Sequence, residues 1–257
     1  MALRRQFTAD KLDVRVYDTR RAMGEAAGND IADTVRALLA KKDEISMIFA
    51  AAPSQNETLE TLVAAKGIDW SRVNAYHMDE YIGLDPDAPQ RFGRFLMNAI
   101  FDKLPFKSVN LIDCAGSSPE AECRRYGDLL KNTHIDIVVL GIGENGHIAF
   151  NDPPVADFAD KEIIKPVSLD EVCRNQQVND GCFASLDEVP HTALTLTVPT
   201  LFHADHLFCS VPAATKADAV FHTVTDKEIC EKCPATIMRR HAHAVLYCDA
   251  DSGSRIL

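Results

Sequence analysis

The sequence predicts an α/β fold: a single, doubly wound, mostly parallel sheet with helices on both faces, in a Rossmann-like arrangement. Three observations predict it. Short β-branched runs such as 135–140 are apolar on both faces, which suits strands covered on both sides. Segments with apolar residues at spacings of three and four alternate with those runs along the whole chain. Polar turn residues follow several of the strands, where ligands of such sheets bind.

The elements follow in order. Asp18 is a candidate cap, and Ala22, Met23, Ala26, Ala27, Ile31, Val35, Leu38 and Leu39 then mark a helix. Residues 45–50 read as a short buried strand. Asn56 is a candidate cap for a helix carrying Leu59, Leu62 and Val63. A strand is expected over 73–77, a helix over 92–101 and a brief strand over 109–112. Ser118-Pro119-Glu120 opens another helix, with proline in its tolerated first turn. The strand at 135–140 ends in Gly141-Ile142-Gly143. Later strands are expected at 163–167, 193–198, 206–211 and 244–248, and helices at 214–224 and 235–240. No internal repeat or long linker interrupts the pattern, so residues 1–257 read as one domain.

Composition narrows the function. Hydrophobic residues make up 46% and charged residues 25%, so a packed core is expected rather than disorder. The formal net charge is −11 and no basic run of five appears, which argues against a nucleic-acid partner or an anionic membrane surface. No apolar run approaches bilayer length, and the two arginines near the N-terminus precede no signal-like apolar stretch. A cytoplasmic location is the reading. The 8 cysteines sit in a chain too large to need a disulfide scaffold, and buried free thiols are expected. Cys230-Glu231-Lys232-Cys233 has no second CxxC to complete a zinc site, so no metal is assigned.

Chemistry concentrates in two segments. Gly141-Ile142-Gly143-Glu144-Asn145-Gly146-His147 follows the clearest strand, with Asn151 and Asp152 soon after. The glycines allow a tight turn and a close backbone approach. A histidine whose second nitrogen is held by a carboxylate exchanges protons near neutral pH. Met78-Asp79-Glu80-Tyr81 follows the strand at 73–77, and two adjacent carboxylates on an extended chain point opposite ways. One can face a pocket while the other braces the loop.

Together, Met78-Asp79-Glu80-Tyr81-Ile82-Gly83-Leu84 and the run from Gly141 to Pro153 resemble the paired signatures of the glucosamine-6-phosphate deaminase/isomerase family, relatives of the 6-phosphogluconolactonases. The resemblance implies an aldose–ketose isomerisation with loss of ammonia from an amino sugar phosphate, without cofactor or metal. In it, His147 exchanges a proton with the ring oxygen during ring opening. Asp79 moves the C2 proton to C1, Asp152 orients His147, and Asn145 braces the imidazole. Glu80 and Gly146, in the same two motifs, are carried over as substrate-binding residues. Lys216, in a strand-to-helix turn, matches a phosphate-contacting lysine, and Ser54, Gln55 and Asn56 match the first phosphate loop. The partner implied is a small sugar phosphate; monomer and homo-oligomer both stay open.

Departures from the family pattern fall on both ends of the site: Asp152 stands where glutamate is common and Asn145 where some members have aspartate, and the rest lie at the phosphate end. Ala50-Ala51-Ala52-Pro53-Ser54-Gln55 stands where Gly, Ser and Thr are usual. A phosphate-binding arginine is replaced by Gln176 or Gln177, with Arg174 nearby as a substitute. Glutamine bonds a phosphate without neutralising it. Two alternatives follow: a lactonase-like hydrolase, and a sugar-phosphate-binding relative with weak catalysis.

Overall fold

The computed structural model describes residues 2–257. It begins with a hairpin, β1 (Leu3–Ala9) and β2 (Leu12–Tyr17). There follow α1 (Arg20–Leu39), β3 (Ile45–Phe49), α2 (Asn56–Ala64), β4 (Val73–His77) and β5 (Asp79–Tyr81). Next come α3 (Phe92–Leu96), β6 (Ser108–Asn110), α4 (Pro119–Lys131) and β7 (Ile137–Leu140). The chain continues through β8 (Ile164–Ser168), α5 (Glu171–Asn179), β9 (Thr192–Leu196) and α6 (Val198–Phe202). It closes with β10 (His206–Val211), α7 (Ala217–Thr225) and β11 (Ala244–Cys248).

Eight strands form the main sheet in the order β1-β2-β11-β10-β7-β3-β4-β6. All neighbours are parallel except the β1–β2 edge. The central strands are buried throughout, and their side chains alternate between the two faces as a two-residue period requires. Ile48, Val138, Leu140 and Leu246 pack into one apolar cluster, and Met47, Phe49, Ile137 and Val139 into the other. The mostly parallel sheet flanked by helices is the architecture expected from the sequence. A second, three-stranded antiparallel sheet, β5-β9-β8, was not expected. It lies just past the end of β4 in the chain and pairs Asp79 with Thr195.

Local caps differ from the expectation in two places. Thr19, not Asp18, caps α1, accepting from the Ala22 amide at 3.1 Å. Asn56 is exposed and forms the first residue of α2, entered through a 3₁₀ turn at Pro53–Gln55 with no side-chain cap. The helix expected over 92–101 is a short α3 followed by a wider π turn at Met97–Phe101. Among the described residues no helix is long and apolar enough to cross a membrane. All eight cysteines are free.

Candidate active site

Because β3, β4, β7 and β10 are parallel, their carboxyl ends lie on one edge of the sheet. The segments leaving them, joined by α5, enclose a solvent-open cleft of about 590 Å³. Asp79 and His147 both line it, with Ser54, Gln55, Gln177 and Lys216. The cleft therefore gathers six candidate residues from five separate chain segments.

The strand pairing of β5 sends its two carboxylates apart. Asp79 is 6% exposed and turns to the cleft. Burial, reinforced by the charge of Glu80, holds its pKa well above the usual carboxylate value. Glu80 is fully buried and accepts from the amides of Tyr81, Phe92 and Gly93, each at 3.0 Å. It anchors the start of α3 and lies outside the cleft lining, so its expected contact with substrate is corrected to a bracing one. Just upstream, buried His77 accepts the Ile112 amide at 2.7 Å, and burial drops its pKa to about 3. It is a neutral structural histidine.

The glycine-rich segment after β7 closes on itself. The Gly143 amide donates to the His147 carbonyl at 3.0 Å, and the Gly146 amide to the Gly143 carbonyl at 3.0 Å. A Cβ on Gly143 would fall 2.1 Å from His147 Cε1. Gly146 has φ +84°, and a Cβ there would meet Cys233 Sγ at 2.6 Å. Gly146 is not part of the cleft lining; its carbonyl accepts from Ala235, so its expected binding role is corrected to a turn role.

His147 is held from three sides. Its amide donates to Asn145 Oδ1 at 3.0 Å. Its Nδ1 lies 2.8 Å from Asp152 Oδ1, at ion-pair distance but with the ring N–H not lined up on that oxygen. Asp152 is fully buried and also accepts from Asn145 Nδ2 at 2.9 Å and the Asp170 amide at 3.3 Å. Burial alone would raise its pKa, but the bonds and charge of His147, with Asn145 and Asp170, bring it below the usual value. Asn145 Nδ2 reaches Asp170 Oδ2 as well, at 3.1 Å. Ala149, on the cleft wall, holds a left-handed φ of +50°, a strained conformation of the kind found at functional sites.

The other end of the cleft rests on α5 and the turn before α7. Lys216 is 4% exposed, and among the described residues nothing bonds its Nζ. Burial lowers its pKa, against the pull of Asp180 and Glu144. Gln55 donates to Ser54 Oγ and to the Ser210 carbonyl, at 3.0 and 3.2 Å. Gln177 lines the cleft, beside Gln176, whose Oε1 accepts the Glu144 amide at 2.7 Å.

Two further candidates, besides Glu80 and Gly146, are not brought in. Arg174 points away and donates to the carbonyls of Leu186 at 2.7 Å and Val189 at 2.9 Å, so it braces a turn and does not stand in for a phosphate-binding arginine. Asn56 faces solvent. The sequence reading missed Asp180 and the walls formed by Met78, Phe92 and Phe150. Asp170 before Glu171 was a readable helix-start signal that would have placed 176 and 177 on one helix, with 180 one turn after 176 at its C-terminal end.

Comparison with known proteins identifies relatives of this chain. Residues 18–247 match the family model described as glucosamine-6-phosphate isomerases/6-phosphogluconolactonase. A glucosamine-6-phosphate deaminase from an Exiguobacterium species is 36% identical over 188 residues, 73% of this chain and 72% of that protein. Another from Lactobacillus delbrueckii subsp. bulgaricus is 31% identical over 206 residues, 80% of this chain and 85% of its own. Among solved structures, a monomeric glucosamine-6-phosphate deaminase superposes with TM-score 0.82 at 27% identity, covering 94% of this chain and 98% of its own. A Thermotoga maritima 6-phosphogluconolactonase shares the fold, with TM-score 0.74 at 18% identity over 92% of this chain and 98% of its own.

Proposed function

This chain belongs to the family of glucosamine-6-phosphate isomerases and 6-phosphogluconolactonases, and from that premise we propose that it converts glucosamine 6-phosphate and water to fructose 6-phosphate and ammonia. The observation that supports this most is Asp79: a buried carboxylate with a raised pKa on the same cleft as His147. A base that removes a proton beside a carbonyl works best when its pKa is lifted towards the working pH.

The steps assign each group a role. His147 uses Nε2, the nitrogen turned from Asp152, to exchange a proton with the ring oxygen as the sugar opens. The ion pair with Asp152 stabilises the imidazolium formed on the way. Asp79 takes the proton from C2, giving an enolamine, and returns it to C1. Water then hydrolyses the resulting C2 imine to the ketose and ammonia. Lys216 receives the phosphate, with Ser54, Gln55 and Gln177 supplying uncharged hydrogen bonds. The reaction runs in the cytoplasm on free sugar phosphate, within one structural unit.

The test is ammonia release from glucosamine 6-phosphate, with galactosamine 6-phosphate and 6-phosphogluconolactone alongside. Release from an amino sugar phosphate supports the proposal. Efficient lactone hydrolysis with no ammonia from either amino sugar would reject it.

A further inference from the structure

Beneath His147, away from the cleft lining, a third side chain joins the His147–Asp152 pair. Cys173, on α5, is fully buried, and its Sγ, a ring nitrogen of His147 and a carboxylate oxygen of Asp152 lie within 4.8 Å of one another. Imidazole, carboxylate and thiol are the donor types that hold borderline-soft divalent cations in three-ligand sites. His147 is 7% exposed, and its Nδ1 has no aligned hydrogen-bond partner despite its closeness to Asp152. In the tautomer that carries its proton on Nε2, Nδ1 presents a lone pair at the centre of the trio. The carboxylate is already oriented by Asn145 Nδ2 and the Asp170 amide, as outer-shell donors orient a ligand.

We propose that His147, Asp152 and Cys173 bind a thiophilic divalent cation, Zn²⁺ or Co²⁺, as an inhibitory site. The metal forms bonds to Nδ1, a carboxylate oxygen and Sγ. The thiol proton leaves to solvent, and the imidazole stays neutral with its proton on Nε2. One thiolate and one carboxylate balance the two positive charges, so the buried cluster is neutral. The fourth position takes water. With Nδ1 bound to metal, the imidazolium needed for ring opening no longer forms, while the cleft where substrate binds is untouched. Inhibition therefore lowers kcat with little change in KM. Mg²⁺, which prefers oxygen ligands, has no such effect. The inhibition, though not the binding, rests on the proposed deamination.

Titration of the protein with Co²⁺ in thiol-free buffer reads the site directly, through the near-ultraviolet sulfur-to-cobalt absorption. The band is expected in wild type and in the Cys230→Ser/Cys233→Ser variant, and absent in Cys173→Val. Calorimetry with Zn²⁺ is expected to show Cys173→Val weakened by more than the roughly 10–100-fold that loss of an outer-shell partner costs. Cys173→Val is also expected to release ammonia at the wild-type rate and to resist Zn²⁺. Should Val not fold there, Cys173→Ser replaces it, with the band again expected to vanish. No band in wild type, a band retained in the Cys173 variant, or a band lost with the CxxC thiols overturns the site. Binding without loss of ammonia release overturns the inhibition alone.

Discussion

Asp79 and Glu80 are neighbours with opposite fates, and the difference is hydrogen bonding. Burial raises the pKa of Glu80 too, but three backbone amides and nearby Arg91, at 3.7 Å, oppose that rise. Asp79 has burial and a like charge beside it, and both favour its neutral form. For an acid whose folded pKa is raised, the stabilising contribution is full below the unfolded pKa and is lost as pH rises through the folded one. Asp79→Asn is therefore expected to raise Tm at neutral pH, by about 2–4 °C for each kcal/mol relieved. Thermal melts from pH 4 to 8 check this: the gap to wild type opens with rising pH and then levels. Activity moves the opposite way, with an acid limb above the ordinary carboxylate range. At the other end of the cleft, Lys216 is the one lysine or arginine in the lining among the described residues. Gln177→Arg supplies a second one, and KM for glucosamine 6-phosphate is expected to fall about tenfold, worth ~1.4 kcal/mol. Steady-state kinetics read it, and unphosphorylated glucosamine is expected to show no such gain.

At the scale of elements, the loop after β7 works because two of its glycines have different jobs. Gly143 leaves room for the His147 ring, whereas Gly146 supplies a left-handed turn. Gly143→Ala is expected to displace the imidazole and cut kcat by roughly 10²-fold, the scale of a 1 Å misplacement, with a smaller loss of stability. Gly146→Ala is expected to cost stability first, about 1–2 kcal/mol for backbone strain alone, read by urea unfolding. Elements were legible where burial was apolar. The strands β4, β10 and β11 sit where their β-branched and aromatic runs predicted. The hairpin β1–β2 went unread because its first strand is an exposed edge rich in Arg4, Arg5 and Gln6. α5 went unread because the side it buries carries Arg174, Gln176 and Gln177 beside Cys173, which leaves no apolar period to find. That polar burial is what makes α5 a wall of the cleft.

Across the whole molecule, parallel strand direction does most of the assembly. The segments after β3, β4, β7 and β10 meet at one sheet edge without any of them being close in sequence, and this much followed from topology alone. The motifs placed Asp79, Asn145, His147 and Asp152 within it. Long side chains were harder to place: Arg174 satisfies carbonyls on a neighbouring turn, a contact set by tertiary packing that no local pattern encodes. The antiparallel sheet β5-β9-β8 adds a second support, since Thr195 Oγ1 on β9 accepts the Phe150 amide at 3.1 Å and so ties the loop that carries His147 to the strand opposite Asp79. Thr195→Val is expected to leave KM nearly unchanged and lower kcat, measured by the same ammonia assay. The central claim is that a buried carboxylate and a histidine on this cleft deaminate an amino sugar phosphate. The most direct measurement is ammonia release from glucosamine 6-phosphate by wild type and by folded Asp79→Asn. Release by wild type and a loss of about 10²–10⁴-fold in the variant are expected; no release by wild type, or equal release by both, would rule out this chemistry.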